Sequence, residues 1–192
     1  MDWKQILNAL SELRDASFAA GAYPITQGEG LILYTLALAS AARFGGAVVF
    51  EAGAGVGYST AWLLLGIEHG GGGLVYAVER SPDRAGKLIE AVKRLGLGNR
   101  LRLLVGDAIE AARRVDEEIH MVFIDIEKSR YVELFKAVED KVVEGGLVVA
   151  HNAWMVPGYV RYVKGKSGWA TSIVHSSEGL VVSIKVSGST RR

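Results

Sequence analysis

The chain has 192 residues, 49% hydrophobic and 22% charged, with a formal net charge of +1 and no cysteine. That size suits one α/β domain with a full core, and the composition excludes a disordered chain. The charge gives no general attraction to nucleic acid or anionic membrane, and the missing cysteine excludes disulfides, thiolate metal sites and a cysteine nucleophile.

Met1-Asp2-Trp3 lacks the basic and apolar regions of a secretory signal, so a cytoplasmic protein is expected. Residues 2–20 predict a helix, with Trp3, Ile6, Leu7, Leu10 and Leu13 at helical spacing. Tyr23-Pro24 breaks it. Ile25 to Gly30 reads as a polar, glycine-containing loop before a second helix over Leu31 to Arg43. The most apolar stretch, Leu31 to Ala42, is too short to span a bilayer, and no membrane partner is expected. Residues 1–44 thus read as a helical cap and residues 45–192 as the core of a single domain.

Val48 to Phe50 is a short apolar run that suits a strand buried on both faces. Glu51, Gly53, Gly55 and Gly57 follow, and then Tyr58-Ser59 opens a helix to about Glu68. Alternate glycines let the backbone turn sharply and let a ligand come close, while the helix N-terminus favours an electron-rich group. A nucleotide-type cofactor is the expectation. The dinucleotide fingerprint is Gly-x-Gly-x-x-Gly; here Tyr58 takes the place of its last glycine. S-adenosylmethionine suits the turn better, since its carboxylate would meet N–H groups and the Ser59 hydroxyl, and its ammonium a carboxylate such as Glu51.

Gly70 to Gly73 is a flexible connection, and Leu74 to Val78 a second strand ending in Glu79. An acid there lies beside the glycine turn and can accept both ribose hydroxyls. Ser81 caps and Pro82 opens a helix to Leu95. Leu101 to Val105 is the third strand, followed by Gly106-Asp107-Ala108 and a short helix over residues 109–115. Asp107 suits an adenine amino group, a helix N-cap, or both. Ile119 to Ile124 is the fourth strand, ending in Asp125 with Lys128 and Tyr131 just beyond, and a helix runs to about Lys141. Gly146 to Ala150 is the fifth strand, followed by His151-Asn152 and a loop over Trp154 to Pro157. Ala170 to His175 and Leu180 to Val186 are strands separated only by Ser176 to Gly179, so they must be antiparallel. The fold class is α/β: a Rossmann-like, doubly wound, seven-stranded sheet, mostly parallel, with a C-terminal antiparallel hairpin strand.

The Gly53 to Ser59 turn resembles motif I of class I S-adenosylmethionine-dependent methyltransferases, and its Gly-Tyr-Ser ending resembles their catechol and caffeoyl-CoA O-methyltransferase branch. The resemblance runs from about Ile25 to Lys185. It implies methyl transfer to a hydroxyl of a small, aromatic acceptor. It also implies that the loop before the second helix closes over the ligands, a role set against simple packing on the sheet. In the metal-dependent members an Asp-x-x-Lys segment ends strand four and an Asp-Asn pair ends strand five. The carboxylates and the amide hold a magnesium-type ion, and the lysine takes the acceptor's proton. Asp125, Lys128 and Asn152 match; His151 departs from the pattern, and the family's substrate-binding glutamate falls on Ala170.

The histidine leaves three alternatives. Asp125, His151 and Asn152 hold manganese or another imidazole-tolerant ion in preference to magnesium. Alternatively the site is metal-free with His151 as general base, or His151 only packs at a strand end. Tyr58, Tyr131, Trp154 and Trp169 wall an aromatic acceptor or pack in the core. Arg161, Lys164 and Lys166 form a basic patch that is either a solvated face or a site for tRNA or CoA phosphates. A tRNA-modifying enzyme on the same fold and a non-catalytic S-adenosylmethionine binder are the competing functions, and a homodimer is a further expectation. The five side-chain amides (Gln5, Asn8, Gln27, Asn99 and Asn152) and the absence of cysteine hint at a thermophilic source.

Overall fold

A computed structural model describes residues 2–186. Strands β1 (Ala47–Ala52), β2 (Gly73–Glu79), β3 (Leu101–Val105), β4 (Ile119–Ile124), β5 (Val142–His151), β6 (Trp169–Val174) and β7 (Leu180–Lys185) form one sheet in the order β3-β2-β1-β4-β5-β7-β6. The first five strands pair in parallel, and β7 is antiparallel to both β5 and β6. This is the doubly wound sheet with a terminal hairpin that the sequence predicts. The strand order reverses between β1 and β4, which opens a crevice at their carboxyl ends.

Alternate residues of each strand serve opposite layers. Val49, Val75, Met121 and Phe123 face helices α1 (Trp3–Ala19), α2 (Gln27–Phe44), α3 (Tyr58–Gly70) and α4 (Pro82–Arg94). Phe50, Val78, Val122 and Ile124 face α5 (Ala108–Arg114), α6 (Tyr131–Val138) and α7 (Pro157–Lys164). The N-terminal helices therefore share the main core with the sheet. Helices α2 and α3 pack closely: a Cβ on Gly66 would lie 2.5 Å from the Tyr34 carbonyl oxygen.

Four segments differ from the sequence reading, and the first is β5, which starts at Val142 rather than Gly146. The expected loop over Ile25 to Gly30 ends at Thr26, which caps α2, and the helix starts at Gln27. The Thr26 hydroxyl accepts from Glu29 N–H, while Glu29 accepts from Thr26 N–H, closing a capping box. Helix α6 ends at Val138 rather than Lys141. The segment after Asn152 is a 3₁₀ turn, Ala153–Met155, that leads into α7 with Pro157 in its first turn. Asn152 makes that change of direction in the left-handed region, with φ 57°, which asparagine tolerates better than most residues.

Candidate functional site

The glycine turn lies at the carboxyl end of β1, over the reversal point. Gly53 has φ +91°, and a Cβ there would meet the Asp125 carbonyl oxygen at 2.1 Å. No side chain fits, so the turn and the end of β4 touch through bare backbone. Gly55 N–H donates to Glu79 Oε2 at 2.8 Å, and Ser81 N–H donates to Glu79 Oε1 at 2.8 Å. Glu79 thus ties the turn to the start of α4 and stands between two adjoining clefts. One, of about 600 Å³, is bordered by Phe18, Tyr23, Gly55, Tyr58, Ser59 and Lys128. The other, of about 540 Å³, is bordered by Arg80, Asp107, Ala108, Glu127 and Arg130. They share Gly53, Glu79, Arg84, Asp125 and Ile126, so one groove crosses the sheet edge.

Glu51 does not border either cleft. It is fully buried behind Ser59, whose hydroxyl donates to its Oε1 at 2.5 Å, and Thr60 donates to Oε2 at 2.6 Å. Burial pushes the Glu51 carboxyl up to about 7, despite the two hydroxyl bonds, and nearby Asp125 and Glu79 add to the rise. The Ser59 proton is therefore committed to Glu51, which corrects the expectation that it serves a ligand carboxylate. Asp107 is the N-cap of α5, accepting from Ile109 and Glu110 N–H at 3.0 and 3.1 Å. Its other partner is Arg130, which holds the Asp107 carboxyl below its usual range. Thr60 and Arg130 carried no local signal in the sequence, because their partners lie on other elements.

At the end of β4, Lys128 Nζ donates to Asp125 Oδ1 at 2.8 Å, to the Tyr131 hydroxyl at 3.0 Å and to the Ile126 carbonyl at 3.4 Å. All three ammonium protons have acceptors. Lys128 becomes a base only after releasing one of them. Tyr131 is buried beneath it, and burial with the Asp125 charge raises its phenol well above the usual range.

His151, at the end of β5, lies between two acids. Its Nδ1 is 3.3 Å from Asp125 Oδ2 and its Nε2 is 3.4 Å from Glu29 Oε2, the latter within ion-pair range but not aligned as a hydrogen bond. Burial opposes charge on the ring, yet the two carboxylates of Asp125 and Glu29 outweigh it and push His151 up to about 9. Burial would likewise raise Glu29 and Asp125, but His151, helped by Thr26 and Ser176 at Glu29 and by Lys128 at Asp125, holds both below their ordinary values. A protonated ring flanked by acids is neither a metal ligand nor a general base. The expected donor set of Asp125, His151 and Asn152 does not fit a resident divalent ion: both ring nitrogens face carboxylates and Lys128 takes Asp125 Oδ1. Among the described residues, no group of three or more histidines and acids is arranged to hold a metal.

Of the aromatic residues, Tyr58 borders the groove, Trp154 is half exposed against His175, and Trp169 packs on Phe135 with ring centres 4.9 Å apart. Ala170 sits within β6, paired with Ile184, and does not border the groove. Arg161, Lys164 and Lys166 also stand clear of it, and Lys166 pairs with Glu139. Glu29 is a further residue the sequence reading missed, and unlike Thr60 and Arg130 it had a local signal, the Thr-x-x-Glu capping box. Among the described residues no helix is long and apolar enough to cross a membrane.

Residues 50–153 match a family described as a methyltransferase domain. The probable cobalt-precorrin-6B C(15)-methyltransferase (decarboxylating) of Sulfolobus acidocaldarius is 31% identical over 126 residues, covering 66% of this chain and 62% of that protein. The catechol O-methyltransferase of Niastella koreensis is 28% identical over 151 residues, covering 77% of this chain and 65% of that protein. The chain thus spans less than two thirds of either relative's length. An O-methyltransferase from Bacillus cereus, solved with S-adenosylhomocysteine, superposes with TM-score 0.81 at 18% identity, covering 93% of this chain and 90% of that one. One from Streptomyces achromogenes involved in tomaymycin synthesis, solved with S-adenosylmethionine, gives TM-score 0.83 at 18% identity over 93% and 90%.

Proposed function

The chain belongs to the methyltransferase domain family, and from that premise we propose that it moves the methyl group of S-adenosylmethionine to a hydroxyl oxygen of a small aromatic acceptor. The observation that carries the reading is the single groove across the β1 and β4 ends, with the glycine turn on one side and Lys128 on the other. The methionine end lies against Gly53 to Gly57 and the N-terminus of α3. Its carboxylate takes backbone N–H groups, and its ammonium meets the Ser59 oxygen backed by Glu51. Glu79 takes the ribose hydroxyls, and Asp107 and Ala108 border the adenine. The acceptor enters past Phe18, Tyr23 and Met155, which are apolar or aromatic and line the larger cleft.

Methyl transfer is an in-line displacement, so position is the larger part of the task. A new carbon–oxygen bond forms as the sulfur–methyl bond breaks. The bonding pair stays on sulfur and leaves neutral S-adenosylhomocysteine. The hydroxyl proton passes to Lys128 in its neutral form and then to solvent. No step is derived through a metal. A tRNA acceptor is less well supported, since the basic patch of Arg161, Lys164 and Lys166 stands away from the groove. Transfer to carbon is a second reading, favoured by the likeness to the Sulfolobus protein.

The test is transfer of a labelled methyl from S-adenosylmethionine to a panel of hydroxylated aromatics, with product sites located by mass spectrometry. Labelled ethers and tight S-adenosylhomocysteine binding are expected. Tight binding of NAD with none of S-adenosylhomocysteine would overturn the reading, and label on carbon would move it to the second one.

A further inference from the structure

Glu29 does more than a helix cap requires. A cap works at the surface, where water serves the other carboxylate oxygen; this side chain has no solvent exposure. Oε2 accepts from the Thr26 N–H and hydroxyl at 2.8 and 2.9 Å. Oε1 accepts from the Ser176 hydroxyl at 2.8 Å and from Glu178 N–H at 3.2 Å, both in the turn between β6 and β7. One acid therefore joins the start of α2, the terminal hairpin and the end of β5. Burying a carboxylate is costly unless a cation answers it, and the cation in reach is His151. From Glu29, buried behind the groove, the groups run through His151 and Asp125 to Lys128 at its border, with neighbouring separations of 3.4, 3.3 and 2.8 Å. A ring with a carboxylate facing each nitrogen is best matched with a proton on both, so the row alternates in sign and sums to zero. A divalent ion placed here would meet an Asp125 that already has two cations.

We propose that Glu29 is a positioning residue that clamps His151 against Asp125, and that the clamped ring supplies beside the acceptor oxygen the positive charge that a divalent cation would otherwise bring. The inference rests on the methyl-transfer reading above and adds that the transfer needs no metal. His151, held in place by Glu29 and Asp125, supplies fixed positive charge near the oxygen without a water-exchanging ion, and Lys128, once it has released one proton, takes the acceptor's.

The experiment uses the full chain with S-adenosylhomocysteine bound. Manganese titration followed by electron paramagnetic resonance reads metal binding, and nitrogen-15 resonances of the histidine rings read the state of His151. Wild type is expected to leave manganese free, and its turnover is expected to be the same in chelator as with added metal. Its His151 ring should show two protonated nitrogens. Glu29→Gln should keep S-adenosylhomocysteine binding, shift the His151 ring signals and lower turnover by about 10–100-fold, the scale of a lost partner behind a working side chain. A purely structural role for Glu29 would lower stability and leave the ring signals unmoved, which would overturn the proposal. Stoichiometric manganese binding by wild type, with activity lost in chelator, would also overturn it, and this measurement stands even where Glu29→Gln fails to fold. Failure to bind S-adenosylhomocysteine at all would instead strike the methyl-transfer reading.

Discussion

Glu51→Gln should make the free protein more stable above pH 7 while weakening its hold on S-adenosylmethionine. Glu51 is fully buried, and burial moves its carboxyl from an ordinary 4.5 to about 7. An acid whose folded pKa is raised binds its proton more tightly in the folded state. Its stability contribution is thus most favourable at low pH, and is progressively lost as pH rises from 4.5 through about 7. At about 1.4 kcal/mol per tenfold change in proton affinity, the full penalty on the ionised form is on the order of 3 kcal/mol. Glutamine has the same shape and no charge to bury. Its amide oxygen can accept from one of the two hydroxyls, Ser59 or Thr60, and the other hydroxyl can rotate to accept from the amide nitrogen. Urea unfolding of wild type and variant from pH 5 to pH 8.5 isolates the effect, because titrating groups not coupled to Glu51 cancel in the difference. The two proteins should be close at pH 5, and the variant ahead by about 1–3 kcal/mol at pH 8.5, the lower figure allowing for water entry. Calorimetry should show weaker S-adenosylmethionine binding by the variant, since the ammonium loses the negative charge behind Ser59. Parallel stability–pH curves would refute the argument, for they would mean that Glu51 carries no raised proton affinity in the folded protein.

Lys128→Ala should lower turnover by about 10²–10⁴-fold, the usual scale for a proton-transfer group, with S-adenosylhomocysteine affinity nearly unchanged. Lys128→Arg should not restore turnover, because a guanidinium does not give up its proton; full activity in either variant would remove Lys128 from the mechanism. Glu79→Ala should weaken S-adenosylhomocysteine binding by about 1–3 kcal/mol through the lost charged hydrogen bonds, and calorimetry showing unchanged affinity would mean that the acid only holds the turn.

The sheet was readable because its signals are local. Each strand is an apolar run bounded by turn residues, and the four residues Ser176 to Gly179 forced an antiparallel pair before any partner was known. The glycine turn was readable for the same reason, and the Asp125 carbonyl oxygen fills the space where a Gly53 side chain would be. Helix α7 was not readable, although Tyr159 and Val163 are both buried at i, i+4 spacing, because eight residues starting with Pro157-Gly158 look like the loop they follow. The start of α2 was hidden in a similar way. Gly28 and Gly30 suggest a loop and draw attention from the Thr26-x-x-Glu29 pattern that overlaps them, which is the signature of a helix start.

That one misread turn changes the chemistry assigned to the strand-five end. A histidine beside an aspartate, taken from sequence neighbours alone, can be a ligand, a base or a packing residue. The outcome depends on what stands at its other nitrogen, and only the topology supplies that. Placing Gln27 to Gly30 in a helix turns Glu29 inward to His151, whereas a loop there would leave the acid to solvent and the ring free to bind an ion. With Glu29 in place, the ring keeps its proton and the aspartate keeps two cations, so the hard-cation chemistry suggested by Asp125, Lys128 and Asn152 loses its ligands. Matching three of four motif positions therefore preserves the site's location and reverses the source of its positive charge. The deciding residue lies outside the motif, in the first turn of a helix at the other end of the chain.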